Sequence, residues 1–141
     1  MTEIIVRSAT GLMQTIQARG HTIVADEPLD AGGSDAGPTP YELLLGALGA
    51  CTAITLRMYA ARRGWPLESV EVYLAHDRVH SRDCENCDEP AANAALDRIT
   101  KRVVLEGALT AEQRTRLLEI ADRCPVRRTL RQPVILQTAA Q

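Results

Sequence analysis

Four cysteines and three histidines carry most of the nucleophilic and metal-binding capacity of this chain. They fall in two settings. Cys51 and Cys124 stand alone and far apart, each inside a segment with strong structural signals. Cys84 and Cys87 form a C-x-x-C that follows His76 and His80 in the pattern H-x3-H-x3-C-x2-C. Nitrogen and sulfur ligands in that number suit tetrahedral zinc. His76 and His80 share a parity, so on a strand they point to one face. A single C-x-x-C is less specific than a paired one, and its polar flank reads as solvent-exposed loop. His76, His80, Cys84 and Cys87 are therefore metal candidates, with a labile disulfide or an idle surface thiol pair as the competing readings.

A thiol does chemistry as its thiolate, so the neighbourhood of each cysteine matters more than its presence. Cys124 directly precedes Pro125 and fits the cap of a short helix with proline in its first turn. Free amides and the helix dipole at such a position lower a thiol pKa, and Arg127 and Arg128 one turn on add positive potential. Cys51 lies in the longest uncharged run, Leu43 to Leu56. There it either packs as a small apolar residue, which is common for cysteine, or reacts. Asp26, Glu27 and His21 also cluster in sequence, but solvation of a strand end explains them more simply than acid–base chemistry.

The central positioning element spans Thr39 to Tyr59. Thr39 can cap, Pro40 suits the first helical position, and Glu42 completes a capping box. Arg63-Gly64, with Pro66 just beyond, is the stop signal. Apolar residues on every face predict a helix buried all round. Gly46, Ala47, Gly49, Ala50 and Ala53 leave room for a close neighbour. Fourteen uncharged residues fall short of the roughly 20 a bilayer span needs, so no membrane is expected.

Around this helix the pattern predicts strands at Ile4–Ala9, Leu12–Ala18 and Thr22–Ala25, joined by tight turns into a meander. A Gly-, Pro- and Asp-rich loop, Asp26 to Pro38, leads into the helix. Val70–Val79 and Ile99–Glu106 alternate and should pair as an antiparallel hairpin with a long connection. Thr110 and Gln113 cap a second helix running to about Arg123, with Leu117, Leu118, Ile120 and Ala121 inward and Glu112, Arg114, Arg116 and Glu119 in water. Val134–Gln137 reads as a last strand. Strands flanking helices without β-α-β alternation define an α+β fold, and 141 residues without linker or repeat read as one domain, 1–141. The absence of Phe and the scattered basic residues at a net charge of −2 argue against nucleic acid as partner. No basic, apolar leader opens the chain, so a cytoplasmic setting with reduced thiols is expected.

The segments GPTPYELLLGALGACTAITLRMYA and ADRCPVRRTL together resemble the OsmC/Ohr family of thiol peroxidases that reduce organic hydroperoxides. The resemblance implies an OsmC-like fold in an intertwined homodimer, with antiparallel sheets around central helices and active sites at the subunit interface. Cys51 matches the peroxidatic cysteine and Cys124 the resolving one. A small-molecule hydroperoxide would be the substrate and an external dithiol the reductant, with no cofactor. Relatives with this activity add a glutamate and an arginine beside the thiolate. The family's acidic position, ten residues before the cysteine, is Tyr41 here, and the adjacent Glu42 is the candidate for the carboxylate. Arg7, Arg19 and Arg57 are the arginines considered for the cation. A non-enzymatic dimer that binds a ligand or senses redox state is the alternative, with a zinc or disulfide site at Cys84/Cys87 as an added possibility.

Overall fold

The computed structural model describes residues 2–80 and 95–140. They gather into two compact units, Met1–Gly46 and Ala47–Gln141. The fold is α+β, as its alternating and helical segments predict.

In the first unit β1 (Ile4–Ser8), β2 (Gln14–Ala18) and β3 (His21–Ala25) form an antiparallel meander in the order β1-β2-β3. Val6 faces Ile16, which faces Ile23, so the β-branched residues stack across the sheet. The long loop after β3 is built around Asp26, which is only 2 % exposed. Its carboxylate accepts the amides of Glu27 at 2.8 Å and of Ser34 and Ala36 at 3.1 Å. The Glu27 amide foremost, opposed by burial and aided by the Ala36 and Ser34 amides, holds the carboxyl below its usual range. Asp26 is thus neither a solvated strand end nor an acid–base group, but the internal staple of the loop.

The helix α1 runs Pro40–Arg63. The capping box forms in both directions: the Thr39 amide donates to the Glu42 carboxylate at 2.7 Å, and the Glu42 amide donates to the Thr39 hydroxyl at 3.2 Å. The other end closes at Gly64, whose φ of 65° only glycine adopts without strain. The Gly64 amide reaches Ala61 O and the Trp65 amide reaches Ala60 O, which satisfies the last carbonyls. Burial of α1 is not all-round within this chain. Leu48, Gly49, Thr52, Leu56 and Ala60 are buried at helical spacing, while Ile54 is 59 % exposed and Met58 51 %. The composition is apolar on every face, but among the described residues only one of them is covered. The 24-residue helix, with mean hydropathy 1.5, is long and apolar enough to meet the length test for a bilayer span, which the uncharged run alone does not. A core helix of a globular fold meets the same test, and the buried stripe of α1 belongs to such a core.

In the second unit β4 (Ser69–His80) and β5 (Ala95–Glu106) pair antiparallel from Ser69↔Glu106 to His80↔Ala95. β5 starts four residues before its expected first residue, because the ladder continues to the end of β4. α2 (Ala111–Ala121) begins with the expected Thr110/Gln113 capping box. α3 (Pro125–Arg131) follows at once. Leu56 and Ala60 of α1 meet Leu117, Ile120 and Ala121 of α2, and Val70, Val103 and Leu105 of the hairpin pack on that cluster. Gly49 allows β4 its approach: a Cβ there would lie 2.7 Å from a Leu74 methyl. Gly46, by contrast, faces open space.

Three expectations for this unit need correction. Leu118 is exposed rather than inward. Arg114 and Arg116 do not simply face water: Arg114 donates to Leu105 O and Gly107 O, and Arg116 donates to the Tyr59 hydroxyl. Long guanidinium side chains can reach back over a helix and pay their desolvation in hydrogen bonds. Val134–Gln137 is not a strand, and Ile135 and Leu136 are 87 % and 89 % exposed. A strand needs a partner for its amides, and the tail has no ladder among the described residues.

Candidate functional site

The core helix and the α2–α3 junction bring Cys51 and Cys124 together inside one chain. Both thiols are free, and the Cys51 thiol is one of the groups that act on the Cys124 thiol. Their exposure differs: Cys51 is half-buried, Cys124 fully buried. Cys124 occupies the cap of α3 with extended backbone, and its sulfur accepts the Arg127 amide at 3.4 Å. Pro125 at the first helical position fixes that geometry.

Two further side chains complete the site. The buried Thr52, next to Cys51 on α1, has its hydroxyl 2.9 Å from Leu48 O and 3.7 Å from the Cys124 sulfur. Lys101 of β5 reaches in with its ammonium 3.5 Å from that hydroxyl. The ammonium also donates to Ala121 O at 2.7 Å and lies 3.3 Å from the Asp122 carboxylate, which Arg127 also contacts at 3.4 Å. The Lys101 side chain is 12 % exposed. Burial pushes the Cys124 thiol up. The Arg127 amide, the Thr52 hydroxyl, the Cys51 thiol and the Lys101 charge together outweigh it, so the thiol lies below its ordinary range. A cavity of about 380 Å³ opens at Lys101, and Leu48, Asp97, Asp122, Arg127 and Arg131 are among its lining residues.

The other sequence candidates have partners of their own. Glu42 is engaged at the start of α1. Arg57 donates to Leu67 O at 3.0 Å and Glu68 O at 2.7 Å, so it braces the chain that leaves α1. Arg7 donates to Gln17 across the meander. His76 is tied by Nε2 to Asp97 at 2.8 Å. Cys84 and Cys87 lie outside the described residues, and among the described residues no cluster of three or more His, Cys, Asp or Glu could hold a metal.

Thr52 and Lys101 are absent from the sequence candidates, though Lys101 left a signal. It is the sole lysine among 16 basic residues. It also shares strand parity with Ile99, Val103 and Leu105, on the apolar side of β5, where a cation requires a reason.

The profile described as OsmC-like protein matches residues 32–139, and the chain belongs to that family. No curated protein matches this sequence. Among solved structures, a Psychrobacter arcticus protein provisionally named for osmotic stress induction and detoxification response superposes with TM-score 0.72 at 16% identity, over 92% of this chain and 88% of the other. An OsmC-like protein of Mycoplasma pneumoniae gives 0.71 at 17% identity, over 92% and 86%. An organic hydroperoxide resistance protein OsmC of Legionella pneumophila gives 0.62 at 16%, over 92% and 89%. At such identities the likeness is one of fold.

Proposed function

We propose that this chain is a thiol-dependent peroxidase for organic hydroperoxides, with Cys51 as the attacking thiol and Cys124 as the resolving one. The single observation that carries the reading is that two free cysteines 73 positions apart meet at Thr52, whose hydroxyl lies 3.7 Å from the Cys124 sulfur and 3.5 Å from the Lys101 ammonium. Access assigns the roles: a peroxide can approach the half-buried Cys51 but not the enclosed Cys124. The Cys51 sulfur bonds to the distal peroxide oxygen, the O–O bond breaks, and the alcohol leaves, giving Cys51 sulfenic acid. Cys124 then displaces hydroxide from that sulfur, which is released as water, and an external dithiol reduces the disulfide by exchange. A reducing cytoplasm supplies such a dithiol. No step uses a cofactor. Glu42 has the helix start as its task.

The working unit in this proposal is a homodimer. Leu44, Ile54 and Met58 on α1, with Ile135 and Leu136 on the tail, leave more apolar surface exposed than an isolated soluble chain tolerates well. The cavity at Lys101 favours one other reading, a non-enzymatic ligand-binding or redox-sensing dimer.

Stopped-flow oxidation of reduced protein by cumene hydroperoxide, beside hydrogen peroxide, tests the activity. One equivalent should protect both thiols from alkylation and yield a Cys51–Cys124 peptide on non-reducing mapping. Thiols that remain alkylatable after peroxide would remove the peroxidase reading and leave the ligand-binding one. Sedimentation as a stable monomer at micromolar concentration would refute the dimer.

A further inference from the structure

We infer that the arginine-lined cavity at the turn from α2 to α3 binds the phosphate group of a small, soluble phosphate ester, whose organic part runs into the cavity at Lys101. The assignment stands apart from the peroxidase reading and holds whatever chemistry the thiols perform.

The chain is net negative, yet four of its 16 basic residues, Arg123, Arg127, Arg128 and Arg131, crowd into residues 123–131, and no Asp or Glu follows Asp122. On α3 the last three of these lie within an arc of about 100°. All four line one cavity of about 540 Å³, together with Asp122 and Gln132. Four guanidinium groups thus face one carboxylate, which already meets Lys101 at 3.3 Å and Arg127 at 3.4 Å. Arg127 also donates to Asp122 O at 3.3 Å, so one guanidinium is set in place before any ligand arrives. Arg123 and Arg128 have no side-chain partner among the described residues.

Two ordinary explanations fall short. A solvated helix face interleaves its charges, as α2 does where Arg116 meets Glu119 at 2.8 Å, but α3 carries no carboxylate. The helix dipole favours Arg128 and Arg131 towards the end of α3, but disfavours Arg127 in its first turn and does not account for Arg123 before it. Like charges one turn apart repel, so the cluster costs stability until an anion joins it.

The side chains select the anion. A guanidinium fork takes two oxygens at once. A carboxylate or a sulfate ester brings one charge, whereas a phosphate monoester brings nearly two on three oxygens and can meet several forks together. The cavity at Lys101 shares Asp122, Arg127 and Arg131 with the arginine cavity and adds an apolar wall of Leu48, Ile99 and Leu130. Leu48 is buried and the Lys101 side chain is 12 % exposed, so an organic group on the phosphate leads into the fold rather than out across a surface. That favours a single soluble molecule over a headgroup held in a bilayer. Among the described residues no aromatic ring lines either cavity, so a nucleobase has nothing to stack on. Each volume lies within the range of small-molecule sites.

Isothermal titration of the full chain with octyl phosphate, octyl sulfate and inorganic phosphate tests the assignment. Octyl phosphate should bind about 10-fold more tightly than octyl sulfate, which has the same tail and less charge, and than inorganic phosphate, which has no tail. Arg123→Gln/Arg128→Gln should weaken octyl phosphate about 10-fold without lowering the melting temperature, because these side chains hold nothing else. Arg123→Lys/Arg128→Lys should recover part of that loss, since the charge returns without the fork. Leu130→Asn should shrink the advantage over inorganic phosphate and leave inorganic phosphate binding unchanged. Vesicles of phosphatidylcholine with phosphatidic acid should leave the protein in the supernatant. Octyl sulfate bound as tightly as octyl phosphate, or octyl phosphate binding unmoved in a folded Arg123→Gln/Arg128→Gln, overturns the assignment. Sedimentation with the vesicles and no binding of octyl phosphate overturns it as well, and puts the arginines at a membrane.

Discussion

Cys51 sits in the middle of a 24-residue helix, whereas Cys124 stands at the first turn of a seven-residue one. Mid-helix backbone amides are already spent on carbonyls one turn back, so α1 offers the Cys51 sulfur no backbone donor. The α3 cap offers Cys124 the Arg127 amide, and the fold adds a hydroxyl and an ammonium. The helix that gives Cys51 its access therefore leaves it without a backbone donor, while the junction that stabilises Cys124 also encloses it. The junction at Thr52, which follows Cys51 and reaches the Cys124 sulfur at 3.7 Å, lets one site combine both properties.

The largest expected effect breaks the comparison outright. Cys51→Ser should remove peroxide oxidation altogether, because the accessible sulfur is gone and the enclosed one cannot substitute. Cys124→Ser should still reach sulfenic acid but never a disulfide, and excess peroxide should drive it on to sulfinic acid. Intact mass resolves the two outcomes. Equal behaviour of the two variants would show that access does not separate the thiols.

The pH dependence of stability sharpens the same contrast. The folded Cys124 thiol lies below its unfolded value, near 8.5 for a free cysteine. An acid whose pKa is depressed by folding contributes stability that is complete above the unfolded pKa and is lost as pH falls through the folded pKa. Denaturant midpoints of wild type minus those of Cys124→Ala should therefore rise with pH across that window and level off above about 8.5. A difference that is flat in pH would mean that folding does not favour the thiolate.

Much of this arrangement was legible in the sequence, and the illegible part has a physical cause. Thr39, Glu42, Thr110, Gln113 and the Cys124-Pro125 cap are local signals, read within one turn of chain, and each formed as expected. Alternation placed both long strands. Failures arose where the outcome depends on a distant partner. The Val134–Gln137 segment has strand composition but no ladder among the described residues, and α1 is apolar on faces that the described residues leave exposed. The meeting of Cys51, Cys124, Thr52 and Lys101 is likewise tertiary. Lys101 was visible only as an anomaly of strand parity, which marks a buried cation without naming what it faces.

A smaller effect comes from Asp122. Its carboxylate lies 3.3 Å from the Lys101 ammonium and 3.4 Å from the Arg127 guanidinium. Asp122→Asn leaves both cations less compensated, so the Cys124 thiolate should titrate lower than in wild type, by less than one pH unit because the carboxylate is 58 % exposed and screened. Lys101→Met and Asp122→Asn should thus move one titration in opposite directions. Movement in the same direction would indicate loss of packing rather than loss of charge.

The smallest expected effect concerns Glu42, where one carboxylate has two possible tasks. Its side chain accepts the Thr39 amide at 2.7 Å, and its own amide is held by the Thr39 hydroxyl at 3.2 Å. A glutamine keeps this exchange, since its side-chain carbonyl accepts the same amide, but removes the charge. An alanine removes both. If Glu42 serves the helix start alone, Glu42→Gln should change stability by less than about 0.5 kcal/mol, and Glu42→Ala should cost about 0.5–1 kcal/mol. Both variants should oxidise Cys51 within about twofold of wild type, because neither touches the Lys101–Thr52–Cys124 support. A tenfold or greater loss of oxidation rate in a fully folded Glu42→Gln would reverse the assignment. It would return to Glu42 the role of orienting a cation at the thiol pair, and Lys101 would then be the cation to examine first in the double variant.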